Sequence, residues 1–334
     1  MPLDLVVPDL LPPADAPERM RSIRLPSLER WLARADIESV AAEGPEGWLA
    51  SSYGLGLTPP VAAIALAGEG PAHPGAWLRA DPVHLRVDHD ALILHDASIL
   101  DVQKHEAAAL VDALQRHFRD DGLEFHAPAP DRWYVRAPQD DLPATTPLWK
   151  AFGRNVFGLL PTGRGRFNWR SALTEAQMML GAHEVNQERA AEGRPAINSV
   201  WFWGEGVKPP EVARRHALVY ANDAFSRGLG ALTSAEVRAL PAGIEEIDLV
   251  AEGGRVLAVI DSLTAPLHRA DEGAWMAQAQ ALEARWFAKL AEAVARFGEV
   301  RVVLPFERGT RVAKLDAAAR WRVFRTRRPL AAHA

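Results

Sequence analysis

The pattern of apolar and polar positions changes texture twice along the chain. Leu3 to Val7 is an apolar run closing on Pro8-Asp9, which predicts a buried strand that delivers an aspartate at its carboxyl end. Ser27 to Ala35 predicts a helix capped by Ser27, and the glycine- and serine-rich Ser51 to Leu57 predicts a loop. Pro60 followed by VAAIALA predicts a helix opened by the proline. From about Ala76, apolar and polar residues alternate through LRADPVHLRVDHDALIL, as they do in half-buried strands. Gln103 to Phe118 then takes a helical period, with Ala107, Leu110, Val111, Leu114 and Phe118 on one face. Arg132 to Arg136 reads as a further strand, and Ser171 to Leu180 as a helix that opens with the Ser-x-x-x-Glu start of a cap at Ser171.

The last third returns to α/β alternation. Arg255 to Ile260 predicts a strand ending at Asp261, Gly273 to Phe297 a long amphipathic helix, and Glu299 to Leu304 another strand. On the helix, Trp275, Leu282, Trp286, Leu290 and Val294 read as core. The expected organisation is an α/β core formed by residues 1–77 and 182–330, a smaller α+β domain inserted at 78–181, and a tail at 331–334. Asp9 and Asp261 both close strands, so they are expected to meet at the carboxyl edge of one sheet, where open α/β folds bind ligands.

Composition narrows the classes of function. With 334 residues, 48% hydrophobic and 24% charged, the chain can bury a large core. A net charge of −5 gives no reason to expect nucleic acid as a partner. The local basic run Arg320, Arg322, Arg325, Arg327 and Arg328 reads as a solvated terminal segment. No cysteine is present, which excludes disulfides, thiol catalysis and cysteine-ligated metals. The N-terminus lacks the basic start of a signal peptide and no apolar stretch is long enough to span a membrane, so a soluble cytoplasmic protein is expected.

The densest chemistry lies in HEVNQERAAEGRPAINSVWFWGEG, His183 to Gly206. It gathers His183, Asn186, Arg189, Arg194 and Asn198 beside Trp201, Trp203, Gly204 and Gly206. Amide and guanidinium groups hold anions bidentately, and glycines let backbone approach closely. One reading is therefore a ligand cluster, which Arg79 would join; the other is a surface helix followed by a buried WFW strand. PTGRGRFNW, with Arg164 and Arg166, reads as a plain loop before an anion site. No G-x-S-x-G elbow, Walker loop or H-E-x-x-H is present.

The same segment resembles one in the archaeal-type, cofactor-independent phosphoglycerate mutases of the alkaline-phosphatase superfamily, of the form H-P-V-N-x-x-R-x-x-x-G-x-x-P-A-N-x-I-W-x-W-G-x-G. The shared positions are His183, Val185, Asn186, Arg189, Gly193, Pro195, Asn198, Trp201, Trp203, Gly204 and Gly206. WLRADPVHL, PVAAIALAGEGP and LAVIDSLTAPLHRAD are similar to further segments of that family. A group of bacterial proteins of RpfE type, regulatory and with no established reaction, resembles the chain more closely still. The resemblance implies an alkaline-phosphatase-like fold, with helices around a mainly parallel sheet and an inserted α+β domain.

It also implies a serine between two divalent metals, held by aspartates and histidines, and much of that set is missing. Asp9 stands where the family's first metal-binding aspartate follows its strand. Pro59 and Pro60 fall on the family's Ser-Asp pair, with Thr58 adjacent as a shifted nucleophile. The later Asp-x-x-x-His becomes Thr264 and His268, and the final Asp-His pair falls on LPFE, ending at Glu307. The reading that follows is a degenerate, mutase-like pseudoenzyme without mutase activity or resident cofactor. Its role would be regulatory, or the binding of a small phosphorylated or carboxylated metabolite. The alternative is an active phosphoglycerate mutase or phosphatase using manganese, magnesium or zinc, with Asp9, Asp261, His268 and Asp271 as ligands and Thr58 as nucleophile.

Overall fold

The computed structural model describes residues 2–13, 15–42, 44–70, 73–163, 165–250, 254–306, 309–322 and 324–333; Arg164 and Glu307 therefore lie outside the described residues. The chain divides into two compact units, residues 1–58 with 211–334, and residues 59–210. The second unit is wider than the insertion expected at 78–181, because the helix Val61–Glu69 and the strand Ser199–Val207 contact the long strand Ala76–Asp88.

The first unit is built on a seven-stranded sheet in the order Asp36–Val40, Gly309–Asp316, Glu299–Phe306, Pro2–Val6, Val256–Val259, Leu218–Tyr220 and Glu236–Arg238. The last five strands of that order are parallel, and the first two join antiparallel. Central strands buried on both faces favour near-continuous apolar runs, as in VLAV at 256–259; Pro2–Val6 departs from this only at Asp4, a buried carboxylate. Parallel strands all end on one edge, so Asp9, Asp223 and Asp261, each just beyond a strand, are delivered there together.

Two elements of this unit depart from expectation. Ser27 does not cap its helix; the helix is Pro26–Arg34, and the amides of Ser27 and Leu28 donate to Glu283 at 2.5 and 3.3 Å. A carboxylate 256 residues away thus satisfies donors that a local pattern assigns to a serine. Ser51 and Ser52 end the helix Gly44–Ser52 instead of opening a loop. The long helix expected at 273–297 is Glu272–Arg285, a 3₁₀ turn at Phe287–Lys289, and Leu290–Phe297, with Trp275, Leu282, Trp286, Leu290 and Val294 in the core as anticipated. In the basic C-terminal run, Arg322 pairs with Asp36 at 2.8 Å and Arg325 donates to the Ala35 carbonyl at 2.7 Å, so that segment is tied to the edge strand and not merely solvated.

The second unit is an antiparallel sheet under helices. The 13-residue strand Ala76–Asp88 pairs along one edge with Arg132–Ala137 and Ala91–His95, and along the other with Ser199–Val207. Helices Lys104–His117 and Trp169–Ala182 bury Leu110, Leu114, Leu173 and Leu180 in one core with Trp133, Trp169 and Phe202. Gln103 opens the first of these, and its amide donates to Glu106 at 2.8 Å. The second is capped by Asn168, which accepts from the Ser171 amide at 3.1 Å; Ser171 lies inside the first turn and donates to Glu175.

Candidate functional site

At the carboxyl edge of the first unit, Asp9 sits beyond the strand Pro2–Val6 with a left-handed backbone, φ 59°. The Thr264 hydroxyl donates to Asp9 Oδ2 at 2.6 Å, and the Trp275 indole donates to the Asp9 carbonyl at 3.0 Å. Two bonds from the elements that follow the strand Val256–Val259 therefore hold this aspartate in a conformation that few non-glycine residues adopt. His268 is the last residue of the short helix Thr264–His268 and is half-buried. Asp271 caps the helix Glu272–Arg285, accepting from the Ala274 amide at 2.9 Å. Thr58 is exposed. Among the described residues, no three histidine, aspartate or glutamate side chains are grouped to hold a metal ion.

Asp223 joins this edge, and LVYAND, a strand followed by an aspartate, is the signal that could have found it. Its Oδ1 accepts from the Ser226 amide at 2.8 Å, while Oδ2 is buried without a hydrogen-bond partner. Burial pushes the Asp223 carboxyl up; burial and then the nearby Asp223 charge push Asp261 up. The two behave as acids crowded together in a place that disfavours a second negative charge.

In the second unit, the residues of the His183–Gly206 segment are brought together, but each is engaged by the fold. Arg189 is fully buried and donates to Glu106 at 2.7 Å, to the Pro195 carbonyl at 2.7 Å, and to the Leu100 carbonyl. Arg194 donates to the other oxygen of Glu106 at 2.9 Å and to the Asp101 carbonyl at 3.0 Å. Asn186 spans the hairpin, donating to Leu180 and Ile197 carbonyls and accepting from the Ile197 amide at 2.7 Å. Asn198 accepts from the Leu85 amide at 2.8 Å and donates to its carbonyl at 2.9 Å, filling a backbone position beside the strand Ala76–Asp88. His183 caps the helix Glu184–Ala191 through Nδ1.

The rest of the motif is packing. Trp201 and Trp203 are buried, and the Trp203 indole donates to Asp81 at 2.7 Å. Arg79 donates to the other oxygen of Asp81 from Nε at 3.0 Å and Nη2 at 2.5 Å, with its guanidinium 4.8 Å from the centre of the Tyr134 ring. Gly204 and Gly206, at φ 66° and 147°, let the strand lie against the start of the helix Val61–Glu69. A Cβ on Gly206 would stand 2.5 Å from Pro60 Cβ, and one on Gly204 2.8 Å from Val61 Cβ.

Sequence reasoning missed a buried relay at the opposite, amino-terminal side of the first unit's sheet. Asp4, His216 and Tyr53 are each fully buried. His216 Nε2 lies 2.8 Å from Asp4 Oδ2 and Nδ1 lies 2.7 Å from the Tyr53 hydroxyl. A carboxylate only accepts, so Nε2 carries a proton toward Asp4, while the Tyr53 hydroxyl can donate to Nδ1 or accept from it; burial favours the neutral ring, in which Tyr53 donates. Arg301, the cross-strand neighbour of Asp4, grips both carboxylate oxygens at 2.6 and 2.5 Å. Burial would raise Asp4, but the bonds from His216 and Arg301 outweigh it and hold the carboxyl well below the usual range. Burial pushes His216 down against the pull of Asp4.

The sign of the resulting pH dependence follows from both shifts. The native His216 binds its proton less readily than the unfolded chain, whose imidazole charges near the ordinary value of about 6.5, so acidification below that point favours unfolding. Asp4 adds to the loss at lower pH, because its unfolded carboxyl protonates first, near about 3.9. Asp223 and Asp261, raised in the fold, contribute in the opposite sense, so the relay is isolated by difference. Chemical unfolding of wild type and His216→Gln across that range is expected to show a shallower acid loss in the variant; parallel curves would place the native histidine proton elsewhere.

With this geometry in hand, the class is a mixed α/β chain whose main sheet is largely parallel and whose second unit is an antiparallel sheet under helices. No protein-family model matches the chain. It is similar to the 2,3-bisphosphoglycerate-independent phosphoglycerate mutase of Methanosarcina acetivorans, 25% identical over 264 residues, covering 73% of this chain and 65% of that protein. It is also similar to the probable enzyme of the same name from Geobacter sulfurreducens, 26% identical over 195 residues, covering 56% of this chain and 48% of that one. The chain thus spans about half to two thirds of the length of the curated relatives it matches. The PH0037 protein of Pyrococcus horikoshii shares the fold, with a TM-score of 0.56 at 13% identity over 98% of this chain and 90% of that one. Among the described residues, no helix is long and apolar enough to cross a membrane.

Proposed function

We propose that this is a phosphoglycerate-mutase-like protein that keeps the scaffold, lacks two-metal phosphotransfer, and serves in ligand binding or regulation. The observation that carries the reading is the Asp9–Thr264 hydrogen bond at 2.6 Å. A dinuclear centre needs several carboxylates and imidazoles presenting free lone pairs to the ions. Here the residue facing Asp9 is a hydroxyl donor, Asp271 accepts a backbone amide, and Pro59-Pro60 stand where the resemblance expects the nucleophile. The donor set does not fit a two-metal group, and no step through one is derived.

The His183–Asn198 cluster acts, on this reading, as the clamp of the second unit and not as the ligand site, because its guanidinium and amide donors already have partners inside the fold. The test is a coupled phosphoglycerate mutase assay with manganese, magnesium or zinc, together with elemental analysis and melting with a chelator. No turnover above the protein-free rate and no change of melting on chelation are expected. Stoichiometric metal with turnover that disappears in Asp9→Asn would instead establish the active metalloenzyme.

A further inference from the structure

The amino-terminal side of the first unit's sheet gathers more positive charge than the relay consumes. Asp4 and Arg301 are opposite one another in register, and Lys314 is the next residue of the same row. Arg255 precedes the neighbouring strand Val256–Val259, and Arg215 precedes His216. Arg301 also lies over the Trp48 ring, 5.9 Å from its centre. Among the described residues, two carboxylates lie at ion-pair distance from these four cations. Asp4 is gripped by Arg301, and its distance to Arg255 Nη2 is 3.4 Å. Glu299 is 3.1 Å from Lys314 and 3.7 Å from Arg255. With His216 neutral, the cations exceed the anions.

Two side chains carry the excess. Arg255 Nε is buried and has no hydrogen-bond partner, which is costly for a charged donor. Arg215 is exposed and has no carboxylate at ion-pair distance among the described residues. The Ala217 amide donates to the Arg255 carbonyl at 2.9 Å, and His216 and Arg301 meet on one Asp4 carboxylate, so the segment that carries Arg215 runs beside the other two arginines. Burial, then the charges of Arg255 and Arg301, push the Arg215 guanidinium down. Like charges drawn together beside a buried orphan donor are what a bound anion would relieve.

We propose that Arg215, Arg255 and Arg301 form a binding site for a phosphate group, on the side of the sheet opposite the edge that carries Asp9 and Asp261. A phosphate group suits the site better than a carboxylate. It brings close to two negative charges and three acceptor oxygens to be shared among the exposed Arg215 and the partly exposed Arg255 and Arg301. The site is separate from the carboxyl-edge aspartates, and it stands whether or not the chain turns over phosphoglycerate.

The experiment titrates the full-length protein with inorganic phosphate and, separately, with glycerol 3-phosphate, by calorimetry and melting near neutral pH at ionic strength held constant with sodium chloride. Saturable binding with a raised melting temperature is expected. Arg215→Ala, an exposed change that leaves the relay intact, is expected to weaken binding by roughly tenfold or more, as loss of a charge-assisted hydrogen bond does. Arg285→Ala, which removes an exposed arginine on the helix Glu272–Arg285, is expected to leave binding unchanged. Tighter binding of the monoester would assign the site to a phosphorylated metabolite, and equal binding to free phosphate; both uphold it. Absence of saturable binding, equal affinity in Arg215→Ala, or equal weakening by Arg285→Ala would overturn it.

Discussion

Arg189→Met is expected to lower the folding stability of the 59–210 unit by about 3–5 kcal/mol, the loss that follows when one partner of a buried ion pair is removed. Methionine fills the aliphatic volume, so cavity formation is minimised and the electrostatic effect dominates. The change leaves Glu106, 3% exposed, with only the partly exposed Arg194 as cationic partner, and leaves the carbonyls of Leu100 and Pro195 without this donor. Since whole domains are stable by about 5–15 kcal/mol, the effect is a large fraction of the total. Denaturant unfolding gives its size. Hydrogen exchange gives its place, with faster exchange expected along the strand Ser199–Val207 and the helix Lys104–His117. A loss under about 1 kcal/mol would mean that Arg189 is not the clamp its bonds describe, and would return it to the ligand-site reading.

The second large effect concerns Asp4. Asp4→Ala removes the carboxylate on which Arg301 and His216 converge and to which Arg255 also reaches. A partly buried guanidinium then loses its counter-charge, the imidazole N–H loses its acceptor, and the Tyr53–His216 bond loses the group that oriented the ring. A loss of about 3–5 kcal/mol is expected, confined by hydrogen exchange to the strands Pro2–Val6, Val256–Val259 and Glu299–Phe306. A double-mutant cycle with His216→Gln should show strong coupling, because the two share one bond. Additive losses would instead mean that the relay is a set of independent contacts. Because Asp4 also offsets Arg301, the Asp4→Ala protein that remains folded should bind phosphate more tightly than wild type.

The elements legible in the chain were those whose cause is local. VAAIALA behind Pro60, the apolar face of Gln103–Phe118, and the runs at 3–7 and 256–259 became helix, helix and central strands because period and burial coincide there. The strand-end aspartates Asp9 and Asp261 were legible for the same reason. Asp223, which crowds Asp261, could have been read from LVYAND in the same way. Caps were read less well. Ser27 lost its place to Glu283, and Ser171 to Asn168, because any acceptor close to the first-turn amides serves, and the winner is set by tertiary packing or by the next residue.

The His183–Gly206 motif shows the limit most clearly. Its spacing identified a specific architecture and pointed to similarity with phosphoglycerate mutases, yet spacing does not reveal whether an arginine faces a ligand or a glutamate. Glu106, Leu100 and Pro195, the partners of Arg189, lie outside any pattern that includes it. By itself the sequence determined the α/β order, the apolar runs of the sheet, the aspartates at its carboxyl edge and the prolines at 59 and 60. Only the tertiary structure decided which polar groups are engaged and which are left over. Asp4, His216, Tyr53, Arg255 and Arg301 are scattered from one end of the chain to the other; parallel register sets Arg301 opposite Asp4, and the chain's path around that pair brings His216, Tyr53 and Arg255 to it. The energy of a buried charge depends on what surrounds it in space, and adjacency in sequence does not encode that.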